Sequence, residues 1–286
     1  MMKYLKLLRI HQWYKNLVVF LALFFTRNIF DPSLVATTVL AFCCLCLTSS
    51  SYYILNDIKD AKADKSHPEK KKRPIPSGKV SVNEARVISG ILLVASLIIA
   101  GSISVYFLAF PILLFLSAQL YNIRLKDIAI LDIHMIALNF LIRAVSGAVA
   151  INVKASSWLI MTVFFLALLL GIGKRRSELG LLGDHAVKFK VVYEVYSRDL
   201  LDKMLIMVAS ILLFAYSLYT FFVHQDGYMM LTIPFASFII FRYIHLASVD
   251  HKIARKTEYI FTDPQILVAF MLWVLTSFTV LYMLGA

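Results

Sequence analysis

The sequence predicts an all-α integral membrane protein built as a bundle of nine transmembrane helices. Three observations predict it. Hydrophobic residues make up 60% of the chain and charged residues only 16%, against about 45–50% and about 25% in soluble domains. The apolar residues lie in nine blocks, most of them long enough to cross a hydrocarbon core of about 30 Å. Lysine and arginine crowd every second connection between those blocks, the pattern left by loops that stay in the cytoplasm.

The blocks run roughly over 15–30, 34–55, 86–106, 107–121, 128–151, 156–173, 204–223, 229–247 and 265–285. The first and fourth are short. Pro111 lies near the middle of one block and Pro234 early in another. Lys3, Lys6, Arg9 and Lys15 accompany the N-terminus. Lys59, Lys62, Lys65, Lys70, Lys71, Lys72, Arg73 and Lys79 follow block two; Arg124 and Lys126 follow block four. Lys174, Arg175, Arg176, Lys188, Lys190, Arg198 and Lys203 follow block six, and Lys252, Arg255 and Lys256 follow block eight. The other side carries only Arg27 and Lys154. This places the N-terminus in the cytoplasm and Ala286 outside. The net charge of +12 is therefore a topology signal, and nucleic-acid binding is not expected. No stretch reads as a cleavable signal peptide. Cys43, Cys44 and Cys46 share one apolar run and are expected to pack between helices. The chain reads as one membrane domain over 1–286. Its two long cytoplasmic loops, about 56–85 and 174–203, are where polar chemistry can be done. They follow spans two and six, an offset that suggests a weak internal duplication.

The densest polar signal is Asn56-Asp57-Ile58-Lys59-Asp60-Ala61-Lys62-Ala63-Asp64 at the end of span two. On a continuing helix at about 100° per residue, Asp60, Asp64 and Asp57 fall about 40°, 80° and 100° from Asn56. Three carboxylates and an amide then share a face, and they repel unless a cation sits among them. Hard oxygen ligands of this kind suit Mg²⁺, which takes one or two carboxylates together with substrate phosphates. Next comes Lys70-Lys71-Lys72-Arg73-Pro74-Ile75-Pro76-Ser77-Gly78, a basic run and a Pro-rich turn that fit a loop folding back over the site. Arg73 there would stabilise leaving-group charge. Lys70, Lys71 and Lys72 serve topology and attraction to anionic lipid.

The pattern Asn-Asp-x-x-Asp-x-x-x-Asp, followed by Arg-Pro-Ile-Pro-Ser-Gly on nine spans, resembles the UbiA superfamily of intramembrane prenyltransferases. The resemblance implies that Asn56, Asp57, Asp60 and Asp64 hold Mg²⁺ on a diphosphate leaving group. That family carries a second aspartate-rich motif after span six. Here the segment is Gly173-Lys174-Arg175-Arg176-Ser177-Glu178-Leu179, with Lys174 and Glu178 one helical turn apart. Asp184, Asp199 and Asp202 lie further on, at the wrong spacing. Cations at this position suit direct phosphate binding. Arg9-Ile10-His11-Gln12-Trp13-Tyr14-Lys15-Asn16, Tyr121-Asn122-Ile123-Arg124-Leu125-Lys126, Leu141 to Gly147, Ser157-Trp158 and the Lys-Arg-Arg-Ser-Glu segment are similar to the decaprenyl-phosphate phosphoribosyltransferase branch.

Span five supports a polar cavity independently. Asp132, Asn139, Arg143 and Ser146 fall within about 60° of one another on a helical wheel, and intramembrane charges face a cavity or a partner. Asp132 and Arg143 are about 16 Å apart along the axis, too far to pair. Near the N-terminus Arg9, Gln12, Trp13 and Asn16 share a helical face. Trp13 and Tyr14 read as interface anchors, and Lys15 and Asn16 as entering the polar site. Tyr193, Glu194 and Tyr196 are expected to close over a sugar; His245 and His251 read as interfacial.

The expected reaction moves 5-phosphoribose from phosphoribosyl diphosphate to a polyprenyl phosphate, with diphosphate leaving. Asp57, Asp60, Asp64 and Arg73 serve the leaving group. Lys15, Asn16, Asn56, Tyr121, Asp132, Arg143, Lys174, Arg175, Glu178 and Tyr196 bind substrate. The alternative keeps the Mg²⁺ site and moves a polyprenyl group from its diphosphate to an aromatic acceptor. A transporter or channel is disfavoured, because the charge sits at one face. The expected location is the cytoplasmic membrane, crossed many times, with the site facing the cytoplasm and the bilayer as a partner.

Overall fold

The computed structural model describes residues 2–65, 70–183, 186–222, 227–249, 251–255 and 257–284; Asp184, Lys256 and Ala286, named above, lie outside these. Among the described residues every regular element is a helix, and eight helices are long and apolar enough to cross a membrane. They gather into two compact units, Met1–Ile123 with Ile142–Lys154, and Arg124–Leu141 with Ala155–Ala286.

The first unit holds α1 (Met2–Leu7), α2 (Phe20–Phe25), α3 (Pro32–Asp64), α4 (Val82–Ile103) and α5 (Val105–Ile123). The expected first span is the one element built differently. Residues Ile10–Val19 form a 3₁₀ helix, which passes directly into α2. At about 2.0 Å rise per residue for the first piece and 1.5 Å for the second, the run Ile10–Phe25 rises about 29 Å. A 3₁₀ helix repeats every three residues, so Trp13, Asn16 and Val19 line up on one side. Asn16 and Val19 are fully buried, and the Trp13 Nε1–H donates to Ser50 Oγ at 3.0 Å. Trp13 is thus held by α3, where an interface anchor was expected.

α3 runs without a break from the apolar block into the acidic segment, as the spacing predicts. It packs on α4 through small polar residues: Ser51 Oγ donates to the Ser89 carbonyl at 2.9 Å and Ser89 Oγ to the Ser51 carbonyl at 3.0 Å. α4 starts at a capping box, with Glu84 N–H donating to Ser81 Oγ. The unit's core combines Val19, Ala41, Cys44, Leu45, Phe107 and Leu114. All three cysteines are free thiols; Cys44 and Cys46 are buried as expected of packing residues, but Cys43 is exposed, because it points away from the core side of α3.

α6 (Leu131–Ala150) contributes 131–141 to the second unit and 142–150 to the first. The second unit adds α7 (Ser157–Leu182), α8 (Ala186–Phe189), α9 (Arg198–Phe222), α10 (Ile233–Val249), α11 (His251–Arg255) and α12 (Pro264–Thr279). Ile133, Ala137, Leu168, Ile172, Leu205 and Ala209 lie at its centre. α7 and α10 meet where Gly173 leaves room for the Tyr243 ring; a Cβ there would lie 2.2 Å from the phenol oxygen. Asp263 caps α12 by accepting from Ile266 N–H, with Pro264 at the first helical position.

Candidate functional site

In the first unit the polar groups gather at the end of α3. Asp57 and Asp64 are buried, while Asp60 is half-buried. Buried carboxylates require cations, and two loops bring them. Arg73 Nη1 lies 3.0 Å from Asp57 and 2.7 Å from Asp64, so one guanidinium bridges two carboxylates across two helical turns. Lys70 stands 3.6 Å from Asp64. Asp57 also receives Arg9, which donates through Nε to Oδ2 at 3.3 Å and through Nη2 to Oδ1. The Arg9 guanidinium sits 5.0 Å from the centre of the Tyr53 ring.

The loop that carries Arg73 does fold back, and local chemistry explains how. Ser77 N–H donates to the Arg73 carbonyl, Gly78 N–H to Ile75 and Val80 N–H to Pro74. Gly78 sits at φ 75°, where a residue without Cβ costs nothing. Ile75 and Val80 are buried with Leu7, Ile54 and Ala85, which ties the turn to α1, α3 and α4. Arg9 is the residue that sequence reasoning left out of the site. It has a left-handed backbone, φ 51°, at the joint between α1 and the 3₁₀ helix. Its place in the quoted Arg9–Asn16 segment was a signal, but its partner lies 48 residues away.

Deeper in the same unit Arg143 is buried. Its Nε donates to Asn16 Oδ1 at 2.7 Å and its Nη2 to Tyr52 Oη at 2.8 Å. Asn16 Nδ2 in turn donates to Cys46 Sγ. Asn16 and Arg143 are therefore brought together as a buried hydrogen-bonded pair. α6 reaches this group because Gly147 admits the Val19 carbonyl; a Cβ on Gly147 would lie 2.0 Å from that oxygen. Lys15 is half-buried, 6.0 Å from the centre of the Tyr14 ring. Tyr121 is half-buried in the last turns of α5. The next residue, Asn122, accepts from Lys59 Nζ at 2.7 Å.

In the second unit the polar groups gather at the end of α7. Arg175 is 1% exposed. Its Nε lies 2.7 Å from Asp132 Oδ2 and its Nη1 2.9 Å from Glu178 Oε2. Of the expected Lys174, Arg175 and Glu178 cap, Arg175 and Glu178 pair at i, i+3. Glu178 also accepts from the Tyr193 hydroxyl and from Lys190 Nζ at 3.2 Å. Asp132 accepts from the Tyr196 hydroxyl at 2.6 Å, and that same oxygen receives the Ile130 N–H at 2.6 Å. Ile130 has φ 69°, a strained conformation for a β-branched residue. Tyr196 and Tyr193 are buried, so neither hydroxyl is turned outward for a sugar, and Glu194 is exposed. Arg176 pairs with Asp202 at 2.6 Å, and Lys203 with Asp199 at 2.7 Å. Burial pushes the Tyr193 and Tyr196 phenols up, each helped by its carboxylate partner.

These two clusters can be set beside known proteins. Residues 16–263 match the profile of the UbiA prenyltransferase family. The chain belongs to the UbiA prenyltransferase family. This UbiA-family chain is 33% identical to a decaprenyl-phosphate phosphoribosyltransferase of Mycolicibacterium smegmatis over 97% of its own length and 92% of that relative. A protein of the same name from Corynebacterium glutamicum is 29% identical over 82% of this chain and 74% of its own. The fold matches a UbiA homolog from Archaeoglobus fulgidus bound to GPP and Mg²⁺, with TM-score 0.69 and 20% identity, over 98% and 99% of the two chains. The protein is accordingly an integral membrane transferase of the UbiA superfamily.

The end of α3 has the donor chemistry for a hard divalent cation. Asn56 Oδ1 is buried and takes no hydrogen bond from any described residue, beside the carboxylates of Asp57, Asp60 and Asp64. Among the described residues no three His, Cys, Asp or Glu side chains are gathered as a ready metal cage. Mg²⁺ needs none, because it keeps waters and substrate phosphates in its shell.

Proposed function

We propose that this UbiA-family transferase moves 5-phosphoribose from phosphoribosyl diphosphate to a polyprenyl phosphate of the decaprenyl type, releasing diphosphate. The observation that carries the reading is the composition of the α7 end. Where a second acidic cluster would hold a second metal, the chain has Arg175 fixed by Asp132 and Glu178, beside Lys174 and Lys190. Similarity to relatives named decaprenyl-phosphate phosphoribosyltransferase supports it.

In this reading Asn56, Asp57, Asp60 and Asp64 hold Mg²⁺. Bound there, the metal supplies charge neutralisation for the donor's diphosphate. Arg73, with Arg9, adds positive charge at the same end of α3 and stabilises the charge that develops as diphosphate departs. Asn16 and Arg143 hold α6 against the 3₁₀ helix, while Lys15 and Tyr121 are assigned to substrate. Lys174 serves an anionic group, with Arg175, Asp132, Glu178 and Tyr196 fixing the geometry around it. A lipid phosphate oxygen attacks the ribose anomeric carbon, and the bond from that carbon to the diphosphate oxygen breaks. The attacking oxygen is already anionic, so no strong general base is required. The protein is assigned to the cytoplasmic membrane, with nine spans and with its N-terminus and both long loops in the cytoplasm, where a soluble donor is available.

The test is an assay with radiolabelled phosphoribosyl diphosphate and polyprenyl phosphate. Label should pass to lipid only with Mg²⁺, and Asp57→Ala and Asp60→Ala should each cut transfer about 10²–10³-fold. No labelled lipid from the wild type, together with turnover of a polyprenyl diphosphate on an aromatic acceptor, would replace this reading by the prenyltransferase one.

A further inference from the structure

The cluster at the end of α7 is a chain of contacts whose exposure grows from Asp132 to Lys190. Ile130 N–H, Tyr196, Asp132 and Arg175 follow one another at 2.6, 2.6 and 2.7 Å. Arg175 then reaches Glu178, and Glu178 reaches Lys190. Side-chain exposure rises along this order: 0% at Asp132, 2% at Arg175, 16% at Glu178 and 38% at Lys190. A phosphate that bound Arg175 directly would have to displace a buried carboxylate, which costs several kcal/mol. Lys190 is different. Its side chain is the most exposed of the four, its ammonium has three N–H donors, and Glu178 takes one of them.

We infer that Lys190 is the ligand for an anionic phosphate group of the substrate in this unit, and that Asp132, Arg175 and Glu178 are positioning residues that aim it. The inference rests on the proposed phosphoribosyl transfer for the identity of that substrate, phosphoribosyl diphosphate. Tyr193 completes the arrangement by donating to the same Glu178 oxygen. The turn Leu125–Asp127, which packs against Val191–Glu194, brings Lys126 and Asp127 to this neighbourhood.

Burial, with Arg175 and Lys174 nearby, pushes the Lys190 ammonium down to about 7 against the pull of Glu178. An arriving anion favours the charged form, so binding above about pH 7 takes up a proton. The part of the affinity owed to Lys190 then falls above about pH 7, by up to tenfold per pH unit, until the pKa of the complex is reached.

Isothermal titration of the full chain in detergent tests this. Phosphoribosyl diphosphate and inorganic diphosphate are titrated between pH 6 and 9, in buffers of different ionisation enthalpy. The wild type should take up a proton at pH 8. Lys190→Arg should keep the affinity and lose the proton uptake. Lys190→Gln should bind about tenfold more weakly, without uptake and with an unchanged melting point. Lys190→Gln and Lys190→Arg behaving as the wild type, while the wild type makes labelled lipid, would overturn the inference alone. A Lys190-linked proton uptake with inorganic diphosphate, but no binding of phosphoribosyl diphosphate, would support Lys190 as an anion ligand and overturn the proposed donor.

Discussion

At the end of α3 the carboxylates belong to the helix and the cations are brought to it. At the end of α7 the arginines belong to the helix, and Asp132 and Asp202 are brought to them, while Tyr196 donates to Asp132 and Tyr193 to Glu178. In both clusters the groups nearest solvent include lysine, Lys70 in one and Lys190 in the other. The buried charges at the α3 end are carboxylates, whereas at the α7 end a buried guanidinium, Arg175, is matched by a buried carboxylate, Asp132. A buried acidic face with an unsatisfied amide oxygen is a seat for a hard cation. A buried guanidinium already held by two carboxylates is a tie that fixes geometry. In the proposed function the α3 end serves a metal-bound diphosphate and the α7 end a bare anion.

Substitutions can break that comparison. Asp132→Ala should have the largest effect, because it leaves Arg175 buried with half its counter-charge. Loss of about 3–5 kcal/mol of stability is expected, read as a lower melting point in detergent. Asp57→Ala should act on rate more than on fold, since Arg9 and Arg73 are partly exposed and can rehydrate. Transfer should fall about 10²–10³-fold, or about 2.7–4 kcal/mol, with a smaller change in melting point than Asp132→Ala. If the two variants melted alike, the distinction between seat and tie would fail. Gly147→Ala pushes a methyl group into the Val19 carbonyl, a backbone atom that cannot rotate away. A cost of about 1–3 kcal/mol is expected, again by thermal melting. Tyr196→Phe leaves the Ile130 N–H and one Asp132 oxygen without the phenol. About 1–2 kcal/mol should be lost, with faster hydrogen exchange at Ile130.

Much of this was legible in the sequence, for reasons of range. The long apolar blocks, the i, i+4, i+8 acidic face and the Pro-Ile-Pro-Ser-Gly turn all depend on residues close together, and the structure keeps each. Partner choice over long range was not legible. Nothing near Asp57 announces Arg9, and nothing near Arg175 announces Asp132, 43 residues earlier. Burial sets these pairings, because a buried charge takes whatever opposite charge the fold delivers. The 3₁₀ start was hidden for a related reason. Gln12, Trp13 and Asn16 were read on a wheel of 100° per residue. Their contacts with α3 and α6 instead select the tighter helix that aligns Trp13, Asn16 and Val19.

The central claim is the identity of the donor, and one competition measures it directly. The purified protein would be given phosphoribosyl diphosphate, polyprenyl phosphate, polyprenyl diphosphate and an aromatic acceptor together with Mg²⁺, and the lipid products weighed by mass spectrometry. The account predicts polyprenyl-phosphoryl-ribose phosphate and no prenylated aromatic. A prenylated aromatic as the product, with phosphoribosyl diphosphate untouched, would contradict it.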